Sequence, residues 1–541
     1  MNVQVRNYLA WVEKRTEQFD DDAPDSIGEL LGRRARSLGD TIAIDFFEQG
    51  EKLSYRDLDQ QVSQLANGFR QIGIGYQTHV AVMLPNRIEY AVTWLALARL
   101  GAVMVPVNPA YKTGEMEHQF SSADVAFMVT ESDQLVKLDV KSECLANIRR
   151  DSLIIVGESR EHQGHSWQAL LNSGAVNFTP ETDIQRTDLL NIQFTSGTTG
   201  LPKGCMQTHE FWLCCGFNQV PKDIPPFKSS LGEAPFFYFD GLNNLIKMLY
   251  AGGTVFQAAR YSSSRILDRL RQTRAECAFL PVMLDDIGSE FTDHNVRLFT
   301  GYRLDARLVK KVEALFGSTV REGYGMTEIG SPLRTPLDIM DEAVFGTCGL
   351  PTPSYQLKIV DPNTGRDAPQ GQPCELLVRG RGIMKGYYKN PEANSRAFLG
   401  EWFRTGDIFE QTDEGYYRIV GRIKEMIKRS GENISANEVE KAIRQFPGVQ
   451  GVVVVAVPSN RRSEEVKAFV QLRDDVEPTP VTAAEIRTHC EKLIATFKCP
   501  RFIRFIKEFP YLGSGKIARA QLAKDESLRA GCWDYTTGTI L

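Results

Sequence analysis

Residues 194–204 read Phe194-Thr195-Ser196-Gly197-Thr198-Thr199-Gly200-Leu201-Pro202-Lys203-Gly204. The segment leading in, Leu189 to Phe194, is mostly apolar and predicts a strand that runs into a loop. In that loop, hydroxyls at Thr195, Ser196, Thr198 and Thr199 alternate with Gly197 and Gly200. Glycines let a backbone curl so that N–H groups and hydroxyls converge on an anion, and Lys203 adds a positive charge. This is the chemistry of a phosphate cradle, although the order differs from the Gly-x-x-x-x-Gly-Lys-Ser/Thr of the common nucleotide loop. A polar Ser/Thr/Gly surface turn is the plain alternative, and the rest of the chain has to decide between them.

A chain of 541 residues exceeds one ordinary domain and can bury large cores. Its hydrophobic content of 42% and charged content of 24% belong to a soluble globular protein. A formal charge of −5 gives no reason to expect nucleic-acid binding. The charge is uneven: residues 424–541 carry +4 and the first 423 carry −9, a split that suits a polyanionic ligand at the C-terminal end. The ten cysteines include no Cys-x-x-Cys pair. Cys205 and His209 stand four apart without a second ligand pair, so zinc is not expected and free thiols in a reducing cytoplasm fit best. The N-terminal segment is charged and lacks an apolar signal core. The most apolar stretch, Ala81 to Val107, is broken by Arg87, Glu89 and Arg99, so no integral membrane segment is expected.

Strand-like and amphipathic helical runs alternate through the first ~420 residues, which predicts layered α/β architecture. Val80–Leu84 precedes a helix over Glu89–Leu100, and Ala126–Thr130, Ser152–Val156 and Cys277–Leu280 read as further buried strands. From about Tyr355 the texture becomes short β segments with turn residues: Gln356–Val360, a turn over Asp361–Gly365, Glu375–Arg379 and Tyr416–Val420. The expectation is an N-terminal domain over 1–423, closed by a β subdomain over 355–423, and a smaller α+β domain over 424–541. That last unit reads as a helix Asn437–Phe446, strands Val452–Val457 and Lys467–Leu472, a helix Ala483–Phe497 and a strand near Ile503–Ile506. No repeat of ~20–50 residues is present, which excludes a solenoid.

Further stretches carry chemistry. Glu322-Gly323-Tyr324-Gly325-Met326-Thr327-Glu328 reads as a glycine-rich turn that places an aromatic ring beside a hydroxyl and a carboxylate. Such a group can stack a purine and ligate Mg²⁺ through oxygen. In Trp402-Phe403-Arg404-Thr405-Gly406-Asp407, a fixed carboxylate can accept both ribose hydroxyls; an ordinary turn Asp is the alternative. Gly421-Arg422-Ile423-Lys424-Glu425 continues to Arg429-Ser430-Gly431-Glu432-Asn433-Ile434-Ser435, a charged linker with a Gly-Glu-Asn turn. Pro510-Tyr511-Leu512-Gly513-Ser514-Gly515-Lys516 sets a lysine on a flexible loop. Activating a carboxylate on ATP brings anions together, and a mobile cation offsets their repulsion.

In this order the motifs resemble those of the acyl-adenylate-forming superfamily, which includes acyl-CoA synthetases, adenylation domains and beetle luciferases. The resemblance covers nearly the whole chain, from Leu53-Ser54-Tyr55 to Lys516. It implies that Thr195 to Gly200 and Lys203 cradle phosphate and that Tyr324, with Gly325 beside it, packs on adenine. Thr327 then contacts phosphate, Glu328 holds Mg²⁺, and Asp407 with Arg422 binds the ribose. It makes Lys424 a hinge, places Gly431 on the coenzyme A channel after rotation, and makes Lys516 catalytic with Glu328 and Thr195. The acyl pocket then falls on Tyr238, Asp240, Gly301, Tyr302 and Arg303. The implied activity is AMP-forming carboxylate–CoA ligation, using ATP, Mg²⁺, coenzyme A and a small-molecule carboxylate.

The chain also departs from the superfamily pattern. Tyr238 stands where relatives usually carry His, Tyr302-Arg303 replace a small, neutral wall, and Cys374 and Ala436 take usual glycine and proline positions. Within the superfamily, Ile427 to Ser435, Arg462 to Val470, Phe497-Lys498-Cys499-Pro500 and Asp240 resemble crotonobetaine/carnitine–CoA ligases, and Asp240 or aromatics could face a quaternary ammonium. Alternatives stay open. A carrier-protein phosphopantetheine could replace free coenzyme A as acceptor, and a luciferase-like oxidase is neither supported nor contradicted. An inactive homologue could serve as a nucleotide-binding or scaffold protein, and a homo-oligomer is left undecided.

Overall fold

The computed structural model describes residues 3–135, 148, 150–158, 164–195, 202–219, 226–280, 291–302, 304, 306–339, 342–362, 364–429, 432–459, 462–511, 517–523 and 530–541. The chain opens with a helix not anticipated from sequence, α1 (Val3–Asp22), whose Val5, Tyr8, Val12 and Phe19 are buried. Those positions recur at helical spacing: Val5, Tyr8 and Val12 pack on Ile339, Val344, Leu350 and Tyr416, while Phe19 joins a larger core against Phe217.

The first sheet has seven strands. At its centre His79–Met83 runs parallel to both Val103–Pro106 and Phe127–Glu131. These are the strands expected around Ala81 and Val129, matched to within a residue or two. The helix Ile88–Leu100 crosses over and is buried on nearly every side. The sheet ends in β1 (Leu189–Thr195) paired antiparallel with β2 (Lys203–Thr208), which sets Thr195 opposite Lys203. The stretch expected to cradle phosphate therefore begins and ends on the two strands of a hairpin. A helix, α2 (His209–Asn218), follows, with Thr208 accepting a hydrogen bond from Phe211 N as its cap.

The second sheet has nine strands. Its parallel centre uses β3 (Ser229–Gly232), then, after the helix α3 (Phe239–Ala251), β4 (Cys277–Phe279), β5 (Leu298–Gly301) and β6 (Thr319–Met326). An antiparallel strand, β7 (Gly330–Arg334), pairs with β6. The glycine-rich stretch read as a turn over Glu322–Met326 is therefore strand, and the turn falls on residues 327–329. Gly325 explains how glycines serve inside it: a Cβ there would lie 2.3 Å from Gly330 O, so only glycine lets β6 and β7 meet at their irregular register.

A five-stranded antiparallel sheet follows. Tyr355–Val360 pairs with Cys374–Gly380, and the latter with β8 (Trp402–Gln411), itself paired with β9 (Tyr417–Arg422). Asp407 is thus mid-strand rather than in a turn, and it pairs directly opposite Arg422.

The last sheet has seven strands and mixes orientations. β10 (Met426–Arg429) pairs with β11 (Glu432–Ser435); then α4 (Ala436–Arg444) leads to β12 (Val449–Ser459) and β13 (Ser463–Leu472). This unit has its own core, including Ile427, Val439, Val454, Ala468, Ile486 and Trp533. The helix expected over Ala483–Phe497 spans Pro480–Leu493 instead. Leu493 and Phe497 are both exposed, and Ile494, which packs on the C-terminal core, takes an extended conformation that ends the helix. The whole is mixed α/β, with a large N-terminal part and a small C-terminal one.

Candidate active site

The turn after β6 is the hub of the site, and three elements pin its backbone. Gln207 of β2 donates to Thr327 O at 2.8 Å, Met384 N donates to Glu328 O at 2.8 Å, and the Tyr355 hydroxyl donates to Ile329 O at 2.8 Å. The segment 384–388 is itself fastened to β2 by Lys385 N to Met206 O, Met206 N to Gly386 O and Tyr388 N to Gly204 O. The β1–β2 hairpin, the glycine-rich strand β6 and the segment 384–388 therefore meet at one place.

Glu328 is buried, and its Oε1 accepts a hydrogen bond from the Tyr387 hydroxyl at 3.0 Å. Burial holds its carboxyl above the ordinary range, opposed by hydrogen bonds from backbone and Tyr387 and by the charges of Lys203 and Arg422. The Lys203 ammonium stands 4.2 Å from the centroid of that same Tyr387 ring. Tyr387 thus links the lysine of the first motif to the carboxylate of the second, a role without local sequence signal because it lies 59 residues from Glu328.

A second cluster forms on the other side of β6. The Tyr324 hydroxyl donates to Asp407 Oδ2 at 2.6 Å, and Arg422 Nε lies 2.7 Å from Asp407 Oδ1. Asp407 is fully buried, and burial leads the causes that raise its carboxyl, against Arg422 and Tyr324. Gly406 has a φ of +69°, with open space where a Cβ would project. The arrangement is a fixed carboxylate, held by a phenol and a guanidinium, next to an opening.

The residues expected to line an acyl pocket lie at the ends of neighbouring elements. Tyr238 caps α3, and its hydroxyl accepts from Asn108 Nδ2 at 3.0 Å. Asp240 sits in the first turn of α3, and its charge is the leading cause that raises the Tyr302 phenol. Tyr302 is exposed just past β5, its ring 5.5 Å from that of Phe279. Gly301 ends β5, and the backbone beyond it is latched by Leu304 N donating to Glu322 Oε2 at 2.7 Å. No local sequence pattern marks Glu322 for this latch. The sequence shows only a carboxylate before the glycines, and its partner lies across a strand.

Ser196 to Gly200, Arg303, Gly431 and Lys516 lie outside the described residues, as does the side chain of Lys424. Cys205 is buried in β2, and His209 Nδ1 accepts from Ile27 N at 3.2 Å. Among the described residues no cluster of three or more His, Cys, Asp or Glu side chains could hold a metal.

Residues 31–388 match the AMP-binding enzyme family, and residues 438–516 match the AMP-binding enzyme C-terminal domain. The chain belongs to the AMP-binding enzyme family. This AMP-binding enzyme is 30% identical to the long-chain-fatty-acid–CoA ligase of Escherichia coli O6:H1, over 94% of this chain and 96% of that one. It is 28% identical to the putative acyl-CoA synthetase YngI of Bacillus subtilis, over 92% and 96%. Among solved structures, ATP-bound MatB from Rhodopseudomonas palustris superposes with a TM-score of 0.82 at 26% identity, covering 92% of this chain and 98% of that chain. Within its family the AMP-binding enzyme is an AMP-forming acyl-CoA ligase, an acid–thiol ligase.

Proposed function

We propose that this ligase activates a small or polar carboxylic acid on ATP and passes the acyl group to free coenzyme A, using the residues above in stated roles. The observation that carries the reading is the convergence of Lys203, Glu328 and the Asp407–Arg422 pair on the segment Tyr324–Glu328. Asp407, fixed by Tyr324 and Arg422, accepts the ribose hydroxyls, while Tyr324 packs near the base. The 195–200 loop and Lys203 hold the phosphates.

A single buried carboxylate suits Mg²⁺ carried in on ATP, because Mg²⁺ is commonly held by one or two carboxylates together with substrate phosphates. Glu328 would hold it, and when bound it neutralises phosphate charge. The acid's carboxylate oxygen attacks the α-phosphorus as the bond to pyrophosphate breaks, and Lys516 offsets the anionic charge. The thiol sulfur then attacks the acyl carbon and AMP leaves. The unit from Lys424 onward turns about that residue between the steps, removing Lys516 and bringing Gly431 to the thiol channel. Alignment and charge neutralisation supply the catalysis.

The likeness to crotonobetaine/carnitine–CoA ligases speaks to ancestry. Its segments lie on β10, β11 and β13 and near Cys499, away from the acyl pocket, and Asp240 is exposed. Nine described cysteines, all free and buried, support a reducing compartment such as the cytoplasm. Among the described residues no helix is long and apolar enough to cross a membrane.

The test is pyrophosphate release from Mg·ATP across a panel of acids, with and without coenzyme A, in the parent and in Lys516→Ala. Turnover needing both acid and coenzyme A, lost in the variant while ATP still binds, is expected. Acid-dependent release that ignores coenzyme A would point to a carrier-protein acceptor. Unchanged release in Lys516→Ala would remove the catalytic assignment.

A further inference from the structure

Beyond Asp240, which is exposed, the polar stripe of α3 faces inward. Gly241, Leu242, Leu245, Ile246, Met248 and Leu249 are buried on one side of the helix. The remaining positions Asp240, Asn243, Asn244 and Lys247 share the other side at helical spacing. An amphipathic surface helix would turn that side to water, but here it turns to the sheet. Ser230 of β3 donates to Asn244 Oδ1 at 2.7 Å, and Lys247 Nζ donates to the same Ser230 hydroxyl at 3.2 Å. Ser230 is in register with Cys277 of β4. Asn243 Oδ1 and Asn244 Nδ2 are buried without a hydrogen-bond partner. Asn243, Asn244 and Lys247 nonetheless keep accessible surface, as groups lining an internal space do.

The stripe starts at Asp240, which is exposed and lies close enough to Tyr302 for its charge to act on that phenol. It ends at Lys247, two helical turns deeper and about 10 Å along the axis at 1.5 Å per residue. Among the described residues no carboxylate pairs with Lys247. Arg334 of β7 lies close enough for its charge to act on Lys247, and it too has no carboxylate partner among the described residues. Its Nη1 reaches only the carbonyls of Asn218 and Gln219 at the end of α2. A buried cation facing neutral groups costs stability unless a counter-charge arrives.

We propose that Lys247, backed by Arg334, is the specificity-determining residue at the far end of the acyl pocket, and that the preferred acid carries a second carboxylate that pairs with it. The proposal rests on the ligase reading above. An alkyl tail would leave the ammonium buried and unpaired, and a quaternary ammonium would meet it as a like charge.

The experiment measures coenzyme A-dependent AMP release by the full chain with α,ω-dicarboxylates of graded length, with monocarboxylates of matched length, and with carnitine and crotonobetaine. The best dicarboxylate is expected to exceed its matched monocarboxylate in kcat/KM by roughly ten- to hundredfold, the range of a charged hydrogen bond. Lys247→Met should collapse that ratio through KM, and Lys247→Arg should keep part of it. A preference for monocarboxylates or betaines, or a ratio unchanged in Lys247→Met, overturns the proposal while leaving the ligase standing. Silence with every dicarboxylate overturns the proposed preference, while the chain's place among the acyl-CoA ligases stands. Should Lys247→Met fail to fold by thermal melt, the ranking of acids by the parent decides alone.

Discussion

Asp407 shows how one residue serves function against stability. Its carboxyl is buried between Tyr324 and Arg422, and burial raises it above the ordinary carboxylate range. The native state then holds a proton more tightly than the unfolded chain does. Between the unfolded and native pKa values, the native chain binds more protons, so stability falls as pH rises across that window. Glu328 is raised in the same sense, again with burial as the leading cause. The nucleotide-free protein should therefore melt higher on the acid side of that window than at neutral pH. Asp407→Asn removes one contributor and should flatten the pH dependence while raising the neutral melting temperature. The same change removes the charged acceptor for the ribose and should weaken ATP binding by about tenfold or more. Thermal melts across pH with and without ATP check both halves; a variant that melts lower at neutral pH and still binds ATP fully would refute the account.

At the scale of elements, glycine placement decides geometry that the sequence half conceals. Gly325 lies in β6 where a Cβ would come within 2.3 Å of a β7 carbonyl. Gly325→Ala must push the two strands apart just before the turn that carries Thr327 and Glu328. The expected cost is roughly 2–3 kcal/mol in urea unfolding, with nucleotide affinity falling alongside. Unaltered stability would mean the strands can separate freely there.

The same glycines explain a misreading. They lower strand propensity, so Glu322–Met326 looks like a turn although it lies in a strand of the second sheet, and Gly406 keeps a turn open as the alternative for Asp407, which lies in a strand of the third. The layered α/β order, the strands around Ala81 and Val129, and the sequence of motifs were legible because each is local. The hydrogen bond of Tyr387 to Glu328, the latch of Glu322 on Leu304 and the inward stripe of α3 were not, since each depends on which chain segments the sheets bring together. The α1 helix was readable in principle from Val5, Tyr8, Val12 and Phe19, but the charged residues between them mask the period.

At the scale of the whole molecule, the proposed swing of the C-terminal unit needs two parts that hold together separately. The C-terminal part has its own buried cluster around Val439, Val454 and Ile486, and a direct link to the β subdomain is Ser435 Oγ donating to Val420 O at 2.6 Å. Inside that part, Arg519 ties the junction to the core. Its Nη1 lies 2.6 Å from Oε1 of the fully buried Glu440 and donates to Val454 O at 2.7 Å, and its Nε lies 3.7 Å from Glu425, next to the proposed hinge residue. Arg519→Met leaves Glu440 short of its nearer cation, with Arg444 at 3.5 Å as the other. Removing one partner of a buried pair costs roughly 3 kcal/mol. If the two parts are energetically separate, calorimetry of this variant should show a transition moving to lower temperature while the ATP-stabilised transition stays in place. ATP binding should persist, and thioester formation should fall with the loosened C-terminal part. A single transition that drops as a whole, with ATP binding lost in step, would show that the two parts unfold as one body and would count against a hinge at Lys424.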